Sequence, residues 1–349
     1  MPERSGAASA GHTLYRMLDR LEGRMREVAR VRVLLMDGHD PRVRTAARDL
    51  LSWGFDVHLL GRPEAADADL APLYINPDAD PHPDRRQKEL RDRLGAVARK
   101  AAREGPVPEP APDAWRDPVT YGALLLALGE VDAAVGGSTR PTADVLRAAL
   151  RIVGLRRGSG RLSAACFTSL PDGREYLLAD VSVNPDPAPE VLVEIAADSA
   201  HTWQALTREA ARVAFLSFST HGSAEHERAT RVRDAAKGFQ ARFPDVVSDG
   251  ELQLDAAVAP DVARLKAPGS PLAGEANVLI FPSLESANIT YKAIERFTGA
   301  RAVGMILQGP SKPIHDLSRG ASAEDIAAMA LVAGCEVLAD RRSGEGESS

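Results

Sequence analysis

The residues best suited to chemistry lie close together near the C-terminus, in Gln308-Gly-Pro-Ser-Lys-Pro-Ile-His-Asp-Leu-Ser-Arg-Gly-Ala-Ser-Ala-Glu-Asp325. Gly309, Pro310, Pro313 and Gly320 keep this stretch out of regular structure, and it carries Lys312, Ser318 and Arg319. Ser322 and Asp325, just before the apolar run Ile326-Ala-Ala-Met-Ala-Leu331, have the form of a capping box opening a helix. Backbone N–H groups at such a helix start favour phosphate or another oxyanion. Arg319 can add a planar fork that grips phosphate through two hydrogen bonds. The chemistry on offer is the binding of an anion and the stabilisation of its charge. A capping box beside an arginine is equally an ordinary helix start, so these residues alone leave both readings open.

A parallel sheet must position that loop. Val33-Leu-Leu-Met36, Val57-His-Leu-Leu60, Leu73-Tyr-Ile75 and Ala133-Ala-Val135 are short apolar runs separated by helix-length segments, the pattern of β-α-β units. In such sheets ligands sit beyond the carboxyl ends of the strands, which puts Gly136-Gly-Ser-Thr-Arg-Pro-Thr142 near the expected site. The alternative is a plain strand-to-helix turn with Thr142 as its cap. A helix over residues 14–28, with Leu14, Met17, Leu18, Leu21 and Met25 on one stripe, is expected to pack on the sheet. Gly105-Pro-Val-Pro-Glu-Pro-Ala-Pro112 reads as an extended surface connection. After the polar break Leu155-Arg-Arg-Gly-Ser-Gly160, strands are expected over Ser163 to Phe167 and Tyr176 to Val183, joined by a turn at Leu170-Pro-Asp-Gly-Arg174. Residues 341–349 read as a disordered tail.

The 349 residues, 44% hydrophobic and 26% charged, suffice for two domains with separate cores. A net charge of -6 argues against a general nucleic-acid or membrane binder. Cys166 and Cys335, both in apolar runs, argue against a disulfide framework and for a reducing compartment. No signal-peptide core opens the chain and no apolar run is long enough to span a bilayer, so a cytoplasmic location is expected. No carboxylate cluster has metal-ligand spacing, and no Gly-rich dinucleotide fingerprint follows a strand.

Five ordered blocks carry a resemblance. They are Leu216-Ser-Phe-Ser-Thr-His-Gly-Ser-Ala224, Asp249-Gly-Glu-Leu-Gln-Leu-Asp-Ala-Ala257, Lys266-Ala-Pro-Gly-Ser-Pro-Leu-Ala-Gly274, Ile280-Phe-Pro-Ser-Leu-Glu-Ser-Ala-Asn-Ile-Thr-Tyr-Lys292 and the loop above. Fainter ones are Arg116-Asp-Pro-Val-Thr-Tyr-Gly122, Gly137-Ser-Thr-Arg-Pro-Thr-Ala-Asp-Val-Leu-Arg-Ala-Ala-Leu150 and Ala179-Asp-Val-Ser-Val-Asn-Pro-Asp-Pro187. Together they resemble the phosphate acetyl/butyryltransferase family, in its acetyl branch, over nearly the whole chain. The departures are Ala148, where a proline is usual, Ala287, where a glycine is usual, and His221, where a lysine is usual.

The resemblance implies two three-layer α/β domains with mostly parallel sheets and a cleft between them, in the manner of isocitrate and isopropylmalate dehydrogenases. The first domain would span 1–156 and 300–349, returning near Thr298-Gly-Ala300, with 157–299 inserted. It implies reversible acetyl transfer between CoA and phosphate in a ternary complex, with no metal and no cofactor beyond CoA as substrate, by a homodimer. Matched by position, Asp325 would take the CoA thiol proton, while Ser318 and Arg319 would orient the acyl phosphate. Arg147 would bind phosphate, with either Arg91 or Arg103 as second anion-binding arginine. Lys312, Ser219, Thr220 and Asn288 would complete the phosphate and CoA contacts. An aspartate near ~3.9 taking a proton from a thiol near ~8.5 works against roughly 6 kcal/mol. Arg319 is therefore expected to hold the developing anions, and Asp325 to act by position as much as by basicity.

Overall fold

The structure is a computed structural model describing residues 30–100, 110–156 and 158–346. The expected helix over 14–28, Arg103 and most of the proline-rich connection lie outside the described residues. The chain divides into two compact units, 159–309 and the segments flanking it on either side.

The flanking unit begins with β1 (Arg32–Leu35), α1 (Pro41–Ser52), β2 (Asp56–Leu60), β3 (Tyr74–Ile75), α2 (Pro83–Lys100), α3 (Pro118–Ala127), β4 (Ala133–Gly136) and α4 (Thr142–Ala148). The inserted unit comes next as β5 (Ser163–Ser169), β6 (Glu175–Ala179), α5 (Pro189–Thr207), β7 (Arg212–Leu216), α6 (Glu227–Arg242), β8 (Val247–Leu252), α7 (Leu254–Val258), α8 (Pro260–Lys266), β9 (Val278–Ile280), α9 (Leu284–Thr298) and β10 (Arg301–Gln308). The chain then re-enters the flanking unit with β11 (Ile314–Asp316) and α10 (Ala323–Gly346).

The flanking sheet has the order β11-β4-β1-β2-β3 with every pairing parallel. Its four anticipated apolar runs are all strands. Val33, Leu34, Ala133 and Ala134 are wholly buried, as parallel strands covered on both faces must be. β11 corrects the expectation of a continuous loop after Gln308. Ile314, His315 and Asp316 have no exposed surface and pair with β4, so Pro313 precedes a strand. α10 is buried along Ile326 to Ala333, which explains its nearly unbroken apolar sequence; it packs on α1 and β4. It runs to Gly346, so 341–346 is helical where a disordered tail is expected.

Beyond α4 comes a π turn over Ala149–Val153, ended by Gly154 at φ 84°. Its outlying carbonyls are taken up from elsewhere in the unit. Arg93 Nη1 donates to Ile152 O (2.6 Å), Ser311 Oγ to Val153 O (2.9 Å) and Ser311 N to Gly154 O (2.8 Å).

The inserted sheet has the order β10-β5-β6-β9-β7-β8, antiparallel at β10-β5 and β5-β6 and parallel in the remainder. β10 pairs with β5, so the chain leaves this unit after Gly309 rather than at the Thr298-Gly-Ala300 turn. β6 ends at Ala179, short of the expected Val183. There the Asp180 carboxylate accepts from the N–H groups of Ser182, Val183 and Asn184 at 2.9–3.0 Å, and a compact loop replaces the ladder. Trp203 on α5 meets Phe167 at 5.9 Å and Phe215 meets Phe239 at 5.6 Å, marking the two halves of the core.

Candidate functional site

In the flanking unit, β1, β4 and β11 end side by side and the loops after them are tied together by carboxylates. Asp37, just past β1, accepts from Gly137 N (2.8 Å), Ser138 N (3.0 Å) and Thr139 Oγ1 (2.6 Å) in the loop after β4. Asp40 caps α1 through Arg42 N (2.9 Å) and accepts from Ser138 Oγ (3.0 Å). At the end of β11, Asp316 accepts from Thr142 Oγ1 (2.7 Å), and Leu317 N donates to Gly136 O (2.7 Å). Thr142 is therefore not the expected helix cap; its hydroxyl is turned to Asp316, and the cap position of α4 falls to Pro141. Gly137, at φ 101°, sits where an added Cβ would lie 2.3 Å from Asp316 Oδ1, so only glycine fits there.

Among the described residues Asp316 has no cation beside it. Burial, reinforced by the charge of Asp37, pushes its carboxyl up to about 7 against the opposing pull of the Thr142 bond. Its Oδ1 accepts no hydrogen bond among the described residues.

From this buried anchor the chain emerges into solvent as Ser318, Arg319 and Gly320, all exposed. Ser318 Oγ accepts from Gly320 N (3.2 Å) and Ser318 O from Ala321 N (2.9 Å). The Arg319 guanidinium makes no bond to another described residue. Ser322 and Asp325 form the anticipated capping box. Asp325 N donates to Ser322 Oγ (3.1 Å), while Asp325 Oδ2 accepts from Ser322 N (2.9 Å) and Ser322 Oγ (2.8 Å). The second carboxylate oxygen, Oδ1, remains unbonded among the described residues. Asp325 is thus a helix cap with one oxygen to spare.

Arg147 lies on α4, whose first residue is the partner of Asp316. It pairs with Asp144 (2.8 Å) and remains about half exposed. With Arg140 and Arg151 it lines a cavity of about 430 Å³ whose apolar wall includes Leu90, Val119 and Ile152. Arg140 is held by Asp117 at 2.9 Å. Arg91 sits on the exposed side of α2 beside Leu90. Ser318, Arg319 and Asp325 thus share one loop and helix start, and Arg147 sits one and a half turns along a neighbouring helix.

Lys312 is elsewhere. Its Nζ donates to Leu126 O (2.8 Å) at the end of α3, and burial lowers its pKa. It shares that carbonyl with Gly129 N (3.1 Å), so at least one of its donors is committed to the end of α3. Lys266, also in a resembling block, pairs with Asp255 at 2.7 Å.

In the inserted unit, the Ser219 and Thr220 side chains are turned to partners within their own unit. Ser219 is fully buried, donates to Glu251 Oε1 (2.8 Å) and accepts from Ala224 N (3.1 Å); Thr220 Oγ1 accepts from Gln253 N (3.0 Å). Glu251 is itself fully buried. Burial opposes its charge, but the Arg233 fork (2.7 and 2.9 Å), Gly222 N and Ser219 together hold its carboxyl down to about 2. Asn288 donates to Val181 O (3.1 Å), pinning α9 to the Asp180 loop. The residues left open to solvent here are others. Phe218, 55% exposed, lines a cavity of about 890 Å³ with Arg228, Arg231, Ser283 and Ser286. Arg140, Arg151 and Phe218 stand inside the quoted motifs or next to them, so their signal was adjacency to a singled-out residue. Asp37, Asp40 and Arg42 follow β1 with no such neighbour.

The phosphate acetyl/butaryl transferase family model matches residues 16–334. The chain is 39% identical over 310 residues to the phosphate acetyltransferase of Thermoanaerobacterium thermosaccharolyticum, covering 84% of this chain and 92% of that one. It is 39% identical over 315 residues to that of Paracoccus denitrificans, covering 88% and 95%. Of solved structures, the EutD phosphotransacetylase of Staphylococcus aureus superposes with TM-score 0.81 at 32% identity, over 92% of this chain and 99% of that one. A branched-chain phosphotransacylase from Enterococcus faecalis, 20% identical, shares the fold with TM-score 0.65 over 88% and 99%.

Proposed function

We infer that this chain, which belongs to the phosphate acetyl/butaryl transferase family, is a phosphate acetyltransferase converting acetyl-CoA and phosphate to acetyl phosphate and CoA, reversibly. The observation that carries this is the exposed Ser318–Arg319 pair, issuing from a buried, cross-braced strand end in a chain 39% identical to acetyltransferases along most of their length. Among the described residues no helix is long and apolar enough to cross a membrane. The enzyme works without a metal or a resident cofactor, as a cytoplasmic homodimer of acetate metabolism. Pairing of two copies is supported by α9, where Ala287 is the sole buried residue while Ile289 and Phe297 are 65% and 87% exposed.

In the direction of acetyl phosphate synthesis, a phosphate oxygen attacks the thioester carbonyl carbon, the C–S bond breaks, and the sulfur leaves as thiolate. The reverse reaction needs that thiolate back. Asp325 takes the thiol proton on Oδ1, the oxygen its cap leaves unused. Arg319 stabilises phosphate and the tetrahedral oxyanion with an uncommitted fork, and Ser318 orients phosphate by hydrogen bonding. Arg147 adds a second positive charge, with Arg91 or Arg103 a third. A covalent acyl-Ser318 is disfavoured because the nearest histidine in sequence, His315, is buried with Nε2 2.9 Å from Glu336 Oε2 on α10.

Thiol release from acetyl-CoA, with and without phosphate and beside butyryl-CoA, tests this reading. Release that requires phosphate and prefers acetyl-CoA is the expected result. Release without phosphate, or preference for butyryl-CoA, would overturn it.

A further inference from the structure

We propose that Arg42 is a positioning residue that sets the conformation of the Ser318–Ala321 loop while making no contact with substrate. Its guanidinium has five N–H donors, and the structure uses all of them. Nε donates to the Asp40 carboxylate (3.1 and 3.2 Å). Nη2 donates to Asp40 Oδ2 (2.6 Å) and Ser138 O (3.2 Å). Nη1 donates to Arg319 O (2.8 Å) and Ala321 O (2.8 Å). The two carbonyls gripped by Nη1 flank Gly320, next to the exposed pair that the proposed reaction uses. The opposite side of the fork is fixed, because Asp40 caps α1 and accepts from Ser138 Oγ in the loop after β4. One planar group thus joins two loops and a helix start.

The donor count decides between positioning and substrate binding. An arginine that grips phosphate must offer free N–H groups, as Arg319 does; Arg42 has none left. Its role is geometric, and a lysine cannot copy it, having three donors and no fixed fork. The loop it holds has little else to fix it. Beyond Arg42, Ser318 to Gly320 are exposed and braced by Gly320 N to Ser318 Oγ at 3.2 Å and Ala321 N to Ser318 O at 2.9 Å.

The inference rests on the acyl-transfer reading, so the test carries a measurement that does not need activity. Amide hydrogen exchange at residues 318–321 should quicken by roughly tenfold in Arg42→Ala as the clamp is lost. Phosphate-dependent turnover at saturating substrates should fall by about 10²-fold below the variant's melting temperature, with the KM for acetyl-CoA changing little. Arg42→Lys should recover little of either, whereas added guanidinium, but not urea or sodium at equal concentration, should restore part of the turnover to Arg42→Ala. Because Arg42 acts through this loop, Ser318→Ala should cost much less in the Arg42→Ala background than in the wild type. Unchanged exchange, unchanged turnover, or additive losses in that cycle would overturn the proposal. Faster exchange in the variant together with a wild type that releases no thiol in response to phosphate would uphold the clamp and sink the acyl-transfer reading instead.

Discussion

Two loops in this molecule hang on a fully buried carboxylate, and they do so in opposite ways. In the inserted unit, Glu251 gathers Ser219, Gly222 and the Arg233 fork, stays charged, and draws the polar side chains of its loop inward. In the flanking unit, Asp316 has Thr142 for a partner, Asp37 for a neighbour and no cation among the described residues, and the polar side chains beyond it point into solvent. Both loops are rich in serine and both stand in motifs that look functional. A loop whose hydroxyls have been spent on its own anchor is architecture, whereas a loop anchored from behind keeps its hydroxyl and guanidinium for a ligand.

The contrast breaks most directly at Glu251. Glu251→Ala leaves the buried Ser219 hydroxyl and Gly222 N without their acceptor and frees the half-buried Arg233, and should cost about 2–3 kcal/mol of stability in a denaturant titration. An unchanged unfolding midpoint would mean that the inserted loop is not held by this carboxylate. Arg319→Ala should give the mirror image, with stability within ~0.5 kcal/mol of wild type and kcat lower by about 10²–10³-fold. A stability loss matching the activity loss would put Arg319 among the architectural residues.

Acid and base should separate the two anchors as well. Glu251, depressed to about 2, contributes stability that is present above its unfolded value of ~4.3 and lost as pH falls toward 2. Asp316, raised to about 7, behaves in reverse: the folded protein holds a proton that the unfolded chain has released, so this group's contribution is lost as pH rises from ~4 through 7. Relative to wild type, Asp316→Asn should therefore gain stability between pH 4 and 8, by about 2–4 kcal/mol, and level off above. A flat difference across that range would show that Asp316 is ionised at no cost. The smallest effect belongs to Lys312→Met, which forfeits one hydrogen bond to Leu126 O. About 1 kcal/mol of stability should be lost with turnover unchanged, and a raised KM for phosphate would return Lys312 to the site.

The parallel sheet was legible because β1, β2, β3 and β4 are apolar runs at β-α-β spacing, and the start of α10 because a capping box precedes an apolar run. β11 was hidden. Three residues directly after a proline, two of them polar, match no strand pattern, and only pairing with β4 makes them one. Motif resemblance singled out Ser318, Arg319 and Asp325 but could not tell them from Lys312, Ser219 and Thr220, because pointing into solvent and pointing at Glu251, Gln253 N or Leu126 O call for the same residue types. Arg42 was illegible for the converse reason. Its partners are mainly backbone carbonyls and a carboxylate two residues away, and a carbonyl leaves no mark on the sequence.

The π turn at Ala149–Val153 bears on which lengths of chain this fold will tolerate. Deleting one residue there would restore ordinary helical winding and rotate the downstream residues by about 100°. Ile152 and Val153, each 5% exposed, would swing out of the core, and the carbonyls now met by Arg93 and Ser311 would face elsewhere. Ser311 opens the segment that leads through β11 to Ser318, so a shortening some 170 residues upstream in the chain would be felt at the reactive loop. This short stretch, Ala149-Leu-Arg-Ile-Val153, is fixed in length as much as in its buried aliphatic residues.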